Sequence, residues 1–245
     1  MPRYILVRET ASTNTYIARM AAMLPSATVI HTPNQTAGRG QRGNSWESEP
    51  GKNIAFSMLL KNPAVAPARQ FYISEAASLA VADCLNSIHP GFSLKWPNDI
   101  YFADSKVAGM LIEHTLTSKA ISQTIIGIGI NINQTNFRSD APNPISLKQI
   151  TGNSHDTDAL LHDVCNRLEE LCRFESYTDD DFQALHQRYL SNLYRGDGLM
   201  HTFALPDGSR FEAAIANVKP TGTLCLLTDD EQMLEFAFKE VAFII

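Results

Sequence analysis

Short apolar runs rich in β-branched residues fill the first half of the chain: YILV, ATVIH, NIAFSMLL, FSLKW, KVAGMLIEH and QTIIGIGINI. Bounded by turn formers, they predict strands. Two stretches break this rhythm with apolar positions three and four apart. In STNTYIARMAAM, Ser12 or Thr13 stands as the N-cap, and Ile17, Met20 and Ala21 form an apolar face. ARQFYISEAASLAVADCLNSI is apolar at too many positions for one narrow stripe, which predicts a mostly buried helix against a sheet. Further on, DTDALLHDVCNRLEELCRF and DDFQALHQRYLSNLY read as helices with Asp156 and Asp180 in capping positions. From about Gly196 the runs shorten, and turn signals at PDGS, KPTG and TDDEQ predict a small barrel or sandwich. Several strands follow one another without a helix between them, so the chain reads as α+β rather than doubly wound. The expected division is residues 1–195 and 196–245, the smaller part leaning on the larger because it buries little surface alone.

Between two predicted strands lies TPNQTAGRGQRGNSWESEPGKN. Its GRGQRG, Gly38 to Gly43, spells G-x-G-x-x-G, but Pro50 and Gly51 follow where a dinucleotide-binding turn needs a helix. A Rossmann turn is thereby excluded. A long loop between strands is either functional or disordered. Three glycines that allow close backbone approach, with Arg39 and Arg42 as forked donors, suit an anion as well as they suit a solvated basic loop. KWPNDIYFADSKVAGMLIE brings Lys95, Asn98, Asp99 and Lys106 to the ends of adjacent strands, with Pro97 holding Trp96 extended. Such convergence can surround a phosphate ester, or it can be ordinary hairpin chemistry. In IIGIGINI, Ile126, Ile128, Ile130 and Ile132 face one way and Gly127, Gly129 and Asn131 the other. That leaves a side-chain-poor floor for a flat ligand, another backbone or a closely packed helix, with Gly109 a similar spot on the next strand.

The chain has 245 residues, enough for one substantial domain and a small one. A net charge of −6 argues against non-specific adhesion to nucleic acid, while leaving room for a local basic pocket. The start lacks a secretory pattern, and no run is long enough to cross a bilayer. Four cysteines without a C-x-x-C pair read as buried thiols in a reducing compartment, so a cytoplasmic protein is expected. The seven histidines form no H-E-x-x-H set, which speaks against a zinc hydrolase.

With STN at 12 to 14, QTAGRGQRGNSW at 35 to 46, KWPND at 95 to 99, KVAGMLIE at 106 to 113, GIGINI at 127 to 132 and PISLKQITG at 144 to 152, the chain resembles the biotin protein ligases. These enzymes activate biotin with ATP and attach it to a lysine of a carrier domain. The resemblance implies a mixed-sheet catalytic domain of the biotin/lipoate ligase type, related to class II aminoacyl-tRNA synthetases, followed by an SH3-like β-barrel. Some members carry an N-terminal helix-turn-helix and repress transcription. This sequence opens on its first predicted strand, so the form without that module is expected. No nucleic-acid or membrane partner is expected either. The implied partner is a biotin carboxyl carrier protein or domain of a biotin-dependent carboxylase, with the ligase a monomer or homodimer. Lipoate or octanoate attachment on the same scaffold is one rival, and a regulator that holds biotin without turnover is another.

The resemblance also implies roles. Ser12, Thr13 and Gln35 would hydrogen-bond the biotin ureido ring, with Asn14, Gly38, Gly109 and the backbone of Arg39 nearby. Lys106 would stand by the biotin carboxylate and the α-phosphate. Trp46 would cover the nucleotide side, with Gln41, Arg42, Lys95, Asn98 and Asn131 around it. Asp99 would orient the acceptor amine, which makes Lys106, Arg39 and Asp99 the expected catalytic set. ATP, biotin as substrate and Mg²⁺ complete the implied chemistry, with the metal ligands unassigned. Well-known members have arginines where this chain has Gln41 and Asn44. Charged donors are roughly twice as strong as neutral ones. Arg39, Arg42 and Lys106 are therefore expected to carry the charge, and the acyl-adenylate to escape more readily.

Overall fold

The computed structural model describes residues 1–117, 120–138 and 143–245, with the side chain of Arg42 outside that description. The fold opens with β1 (Arg3–Leu6), α1 (Thr13–Met20), β2 (Thr28–His31), the short β3 (Gly38–Arg39) and β4 (Ser45–Trp46), and β5 (Ile54–Lys61). Then come α2 (Phe71–Ile88), β6 (Phe92–Lys95), β7 (Asp99–Phe102), β8 (Ser105–Leu116) and β9 (Ile121–Ile130). Three helices follow, α3 (Leu147–Thr151), α4 (Thr157–Leu171) and α5 (Asp179–Ser191). The chain closes with β10 (His201–Ala204), β11 (Arg210–Val218), β12 (Leu224–Thr228), β13 (Met233–Phe236) and β14 (Ala242–Phe243).

Among the described residues the large sheet runs β1-β2-β5-β9-β8-β7-β6, and the C-terminal strands form an antiparallel sheet in the order β13-β12-β11-β10-β14. In the large sheet β1 pairs parallel with β2, and the remaining neighbours are antiparallel. The fold is thus α+β on a mixed sheet, as expected from consecutive strands. The loop that the sequence left without elements contains the β3–β4 hairpin, closed by a 3-10 turn over Gln41–Gly43.

Alternation decides the two faces of the sheet. Phe56, Met110 and Ile128 pair in register and belong to the main core with α2, where the Ser78 hydroxyl lies 3.9 Å from the Met110 sulfur. The opposite face is covered at the β2–β5 end by α1, whose Ile17 and Ala21 pack with Ile30, Leu59 and Ile125. Ser12 caps α1 in an extended conformation, its hydroxyl accepting the Thr15 N–H. Asp156 caps α4, accepting from the N–H groups of Asp158 and Ala159. At α5 the expectation is corrected: Thr178, not Asp180, is the cap, because Thr178 and Asp181 satisfy each other's backbone N–H in a reciprocal box. The Trp96–Pro97 peptide is cis.

The two sheets share one core. Phe203, Val218, Leu224, Leu226 and Val241 of the C-terminal part belong to the same buried cluster as α2. The Trp96 indole N–H donates to the Gly222 carbonyl at 2.9 Å. A polar bridge, buried at its Glu75 end, joins the same bodies: Glu75 on α2 lies 2.7 Å from His186 Nδ1 on α5, and His186 Nε2 lies 3.1 Å from Asn217 Oδ1 on β11. With an acceptor at each ring nitrogen, the imidazolium satisfies both contacts. The hydrogen bond to Glu75 raises the His186 pKa from its ordinary 6.5, and burial raises that of Glu75. A raised folded-state pKa stabilises below the unfolded value and loses that contribution as pH climbs through the folded one. The melting temperature should therefore fall as pH rises above the ordinary 6.5 and through the raised folded-state pKa, and His186→Gln should flatten that fall. Equal pH slopes in both proteins would contradict the assignment.

Among the described residues no helix is long and apolar enough to cross a membrane, and the four cysteines are free and buried.

Candidate active site

Sheet register builds the site. Lys95, Asp99, Gly109, Gly129 and Ala55 stand opposite one another across β6, β7, β8, β9 and β5, and so share one face. Two residues along, the row is Leu111, Gly127 and Ser57; two further, Glu113, Ile125 and Leu59. Charge gathers at the β6–β7 end and small residues at the centre.

Simple alternation would send Lys106, three residues before Gly109, to the far face. A bulge prevents this. Ala108 pairs with Ile100 but Lys106 pairs with Tyr101, so Val107 is the extra residue and the alternation slips by one. Lys106 Nζ thereby reaches Asp99 Oδ1 at 2.7 Å, and a Cβ on Gly109 would meet that nitrogen at 3.2 Å. The far edge of Lys106 is held too, its N–H donating to Asn143 and its carbonyl accepting from Ile145.

The small residues are not bare. A Cβ on Gly127 would lie 2.0 Å from Asn14 Oδ1, and one on Gly129 would lie 2.4 Å from the Trp46 indole. The glycines admit a helix side chain and a hairpin side chain, so the closely packed helix, one of the occupants the sequence left open, is realised at Gly127. The Trp46 ring lies 5.7 Å from Lys106 Nζ, and its Nε1 is buried without a hydrogen-bond partner.

At the α1 end a polar chain can be resolved by counting hydrogens. Ser57 Oγ lies 2.5 Å from Asn14 Oδ1 and 2.7 Å from Thr13 Oγ1. An amide oxygen only accepts, so the Ser57 hydrogen goes to Asn14 and Thr13 supplies the hydrogen between the hydroxyls. Gln35 Oε1 accepts the Thr13 backbone N–H at 3.0 Å. The Asn14 amide donates to the Leu111 carbonyl at 3.1 Å and to Glu113 Oε2 at 2.8 Å, so Asn14 has no donor left for a ligand. The Ser12 hydroxyl hydrogen, the Gln35 amide and a lone pair of Thr13 remain to be used.

These groups line a cavity of about 840 Å³ together with Arg39, Gln41, Asn44, Trp46, Lys95, Asn98, Asp99, Lys106 and Gly109. Lys95 Nζ donates to the Tyr101 hydroxyl at 3.2 Å, and burial lowers its pKa. The Asn98 amide donates to the Met110 carbonyl at 2.7 Å. Gly38 and Asn131 do not line the cavity. Gly38 lets β3 pass close to the Trp46 carbonyl, and the Asn131 amide is tied to the Ile145 carbonyl at 3.2 Å. The Arg39 guanidinium is engaged by Glu113, both of whose carboxylate oxygens accept from it, at 3.0 and 3.2 Å. The expected contribution of the Arg42 side chain falls outside the described residues.

One wall was absent from the sequence reading: Phe238, Lys239, Val241 and Phe243 reach the cavity from the C-terminal segment. No local pattern marks them. No group of three or more His, Cys, Asp or Glu suited to a metal ion occurs among the described residues.

A sequence model of the biotin/lipoate A/B protein ligase family matches residues 6–131. The bifunctional ligase/repressor BirA of Salmonella typhimurium is 34% identical over 133 residues, which are 54% of this chain and 41% of that protein. This chain thus spans less than half the length of that relative. The biotin--[acetyl-CoA-carboxylase] ligase of Paracoccus denitrificans is 30% identical over 64% of this chain and 67% of its own. Among solved structures, the biotin protein ligase of Aquifex aeolicus in complex with biotin and ATP is similar over 99% of this chain and 98% of that one, with a TM-score of 0.79 and 26% identity.

Proposed function

The chain belongs to the biotin/lipoate A/B protein ligase family, and on that footing we propose that it activates biotin with ATP and transfers it to a lysine of a biotin carboxyl carrier domain. The carrying observation is one cavity with unspent neutral donors and an acceptor at its α1 end and Lys106 on the same floor at its other end. A urea accepts at its oxygen and donates at its nitrogens. The Ser12 hydroxyl and Gln35 amide would answer the first, and Thr13 Oγ1 the second. The substrates named for the Aquifex aeolicus and Paracoccus denitrificans relatives support the same reading. The cavity is lined from both sides of residue 195, and we read residues 1–195 as the part that binds and activates and 196–245 as a C-terminal domain supplying a wall.

In the first step a biotin carboxylate oxygen bonds to the α-phosphorus of ATP, the bond to the β-phosphate bridge breaks, and pyrophosphate leaves. Lys106 offsets the meeting of two anions. In the second, the deprotonated carrier amine attacks the acyl carbon and AMP departs. Asp99 is placed to orient that amine once Lys106 turns to the phosphate. Mg²⁺ is assigned to the nucleotide as a phosphate complex, and no residue is named as its ligand. Buried free thiols suit a cytoplasmic setting.

Lipoate or octanoate fits less well. A methylene chain against the α1 end would leave the Ser12 hydroxyl and Gln35 amide unpaired, at about 1–3 kcal/mol each. Incubation with Mg-ATP, a carrier domain and equal biotin and lipoate should label the carrier with biotin; lipoate in its place would overturn the proposal.

Gln41 and Asn44 line the cavity as neutral groups. Each arginine restored there should slow escape of biotinyl-adenylate about five-fold, the difference between a neutral and a charge-assisted hydrogen bond. Release rates indifferent to Gln41→Arg and Asn44→Arg would show that these positions do not hold the intermediate.

A further inference from the structure

Resting on the ligase reading, we propose that Glu113 is a positioning residue and that Arg39 serves the site through its grip on Glu113, not by placing charge on the reacting anions. Both Glu113 oxygens accept from Arg39 Nη2, and Oε2 accepts from the Asn14 amide as well. One carboxylate therefore ties the glycine hairpin to the N-terminus of α1, where the urea-binding groups stand.

The sheet sets the reach. Gly109, Leu111 and Glu113 lie along one face of β8, and four residues of strand span about 13 Å. Lys106 Nζ sits by Gly109. A guanidinium seated on Glu113 is at the other end of that span from Lys106.

The base of the hairpin is tied by the Ala37 N–H to the Ala11 carbonyl and by Glu47 to Gln134 and the Arg138 N–H, and its own two strands have two side-chain anchors. Arg39 pairs with Ser45, and Gly38 with Trp46, so the Arg39 and Trp46 side chains ride on one two-residue ribbon. Trp46 rests on Gly129, and Arg39 on Glu113. Gly38 and Gly40, flanking Arg39, have no side chains to add a third. Loss of the Glu113 anchor leaves the Arg39 side of the ribbon held only at its base, at Ala37, and so alters how the hairpin lies against α1 and the fit of the bicyclic end of biotin. The pair is 46% and 40% exposed, so its contribution to folding is small. Its effect should appear in substrate binding.

The test uses the full chain, with wild-type biotin titration and biotin-dependent pyrophosphate exchange as the reference. Glu113→Gln keeps an acceptor for Asn14 but drops the charge. Glu113→Gln and Arg39→Ala should each raise the biotin KM about five-fold with kcat within about two-fold, and the double variant should be no worse than the poorer single. The exchange pair Glu113→Arg with Arg39→Glu should recover the hairpin contact and part of the loss, because a guanidinium at position 113 cannot accept from the Asn14 amide. An Arg39→Ala kcat lower by about a hundred-fold or more, unrelieved by the exchange, would instead place the guanidinium on the reacting anions and overturn the proposal. Multiplying single effects in the double variant would do the same. Tryptophan emission, assigned to Trp46 by its loss in Trp46→Phe, reads hairpin position without turnover. Glu113→Gln should shift it, and unchanged emission would refute the positioning role. A wild-type protein that ignores biotin would sink the ligase reading alone, leaving the emission result to judge Glu113.

Discussion

Replacing Lys106 by alanine is expected to lower biotin-dependent pyrophosphate exchange by about 10²–10³-fold while the protein stays folded. The nitrogen is held on the floor by the bulge at Val107 and paired to Asp99 at 2.7 Å. Removing it subtracts the cation where a carboxylate and a triphosphate must meet, and it leaves the Asp99 carboxylate facing the same anions. Two unfavourable changes thus coincide. Folding should tolerate the loss, because the ion pair is partly exposed, at 25% and 19%, and pairs of this kind contribute about 0–1 kcal/mol. The backbone of Lys106 keeps its bonds to Asn143 and Ile145. Lys106→Met, which preserves the apolar stem against the Trp46 ring, separates charge from packing and should be as poor as alanine. Exchange within about three-fold of wild type in either variant would remove Lys106 from the reaction.

Gly129→Ala is expected to disable the cavity, and Gly127→Ala to destabilise the fold. At Gly129 the new methyl would lie 2.4 to 2.8 Å from three atoms of the Trp46 indole. Overpacking of this degree costs about 1–3 kcal/mol. The ring belongs to a hairpin of two-residue strands outside the large sheet, so the strain is expected to leave through Trp46 while the sheet survives. Biotin affinity should fall by about ten-fold or more and Trp46 emission should move toward that of an exposed indole. At Gly127 the methyl would lie 2.0 Å from Asn14 Oδ1. Asn14 sits in α1, is 3% exposed and has its amide committed to Leu111 and Glu113, so it cannot yield in the same way. Thermal unfolding should show the larger loss there, partly recovered by Asn14→Ala in the same chain. Unaltered emission and affinity in Gly129→Ala would mean that the indole does not rest on that strand.

Much of the site was legible because its carriers are local. Ser12 or Thr13 is announced as a cap, with the structure choosing Ser12, KWPND and KVAGMLIE as strand ends with charge, and IIGIGINI by its period of two. Asp180 shows where local reading misled: three successive acids make any of them a plausible cap, and the reciprocal bonds of Thr178 and Asp181 decide. Gly38 and Asn131 show a second limit, since a motif residue can serve by letting backbone pass or by tying a neighbouring segment and never touch the cavity.

By itself the sequence determined the order of the longer strands and helices, though not the β3–β4 hairpin or α3, as well as the mostly buried helix, the side of β9 that carries glycine and the set of polar residues available for chemistry. Each follows from spacing or capping within a few residues. The tertiary structure alone decided that Lys106 faces Gly109, that Asn14 and Trp46 fill the glycine positions, that Arg39 holds Glu113, and that the C-terminal segment walls the cavity. Those outcomes depend on cross-strand register and on partners 74 and 99 residues apart. A single extra residue in a strand reverses which way a side chain points, and no local preference encodes the strand it will face.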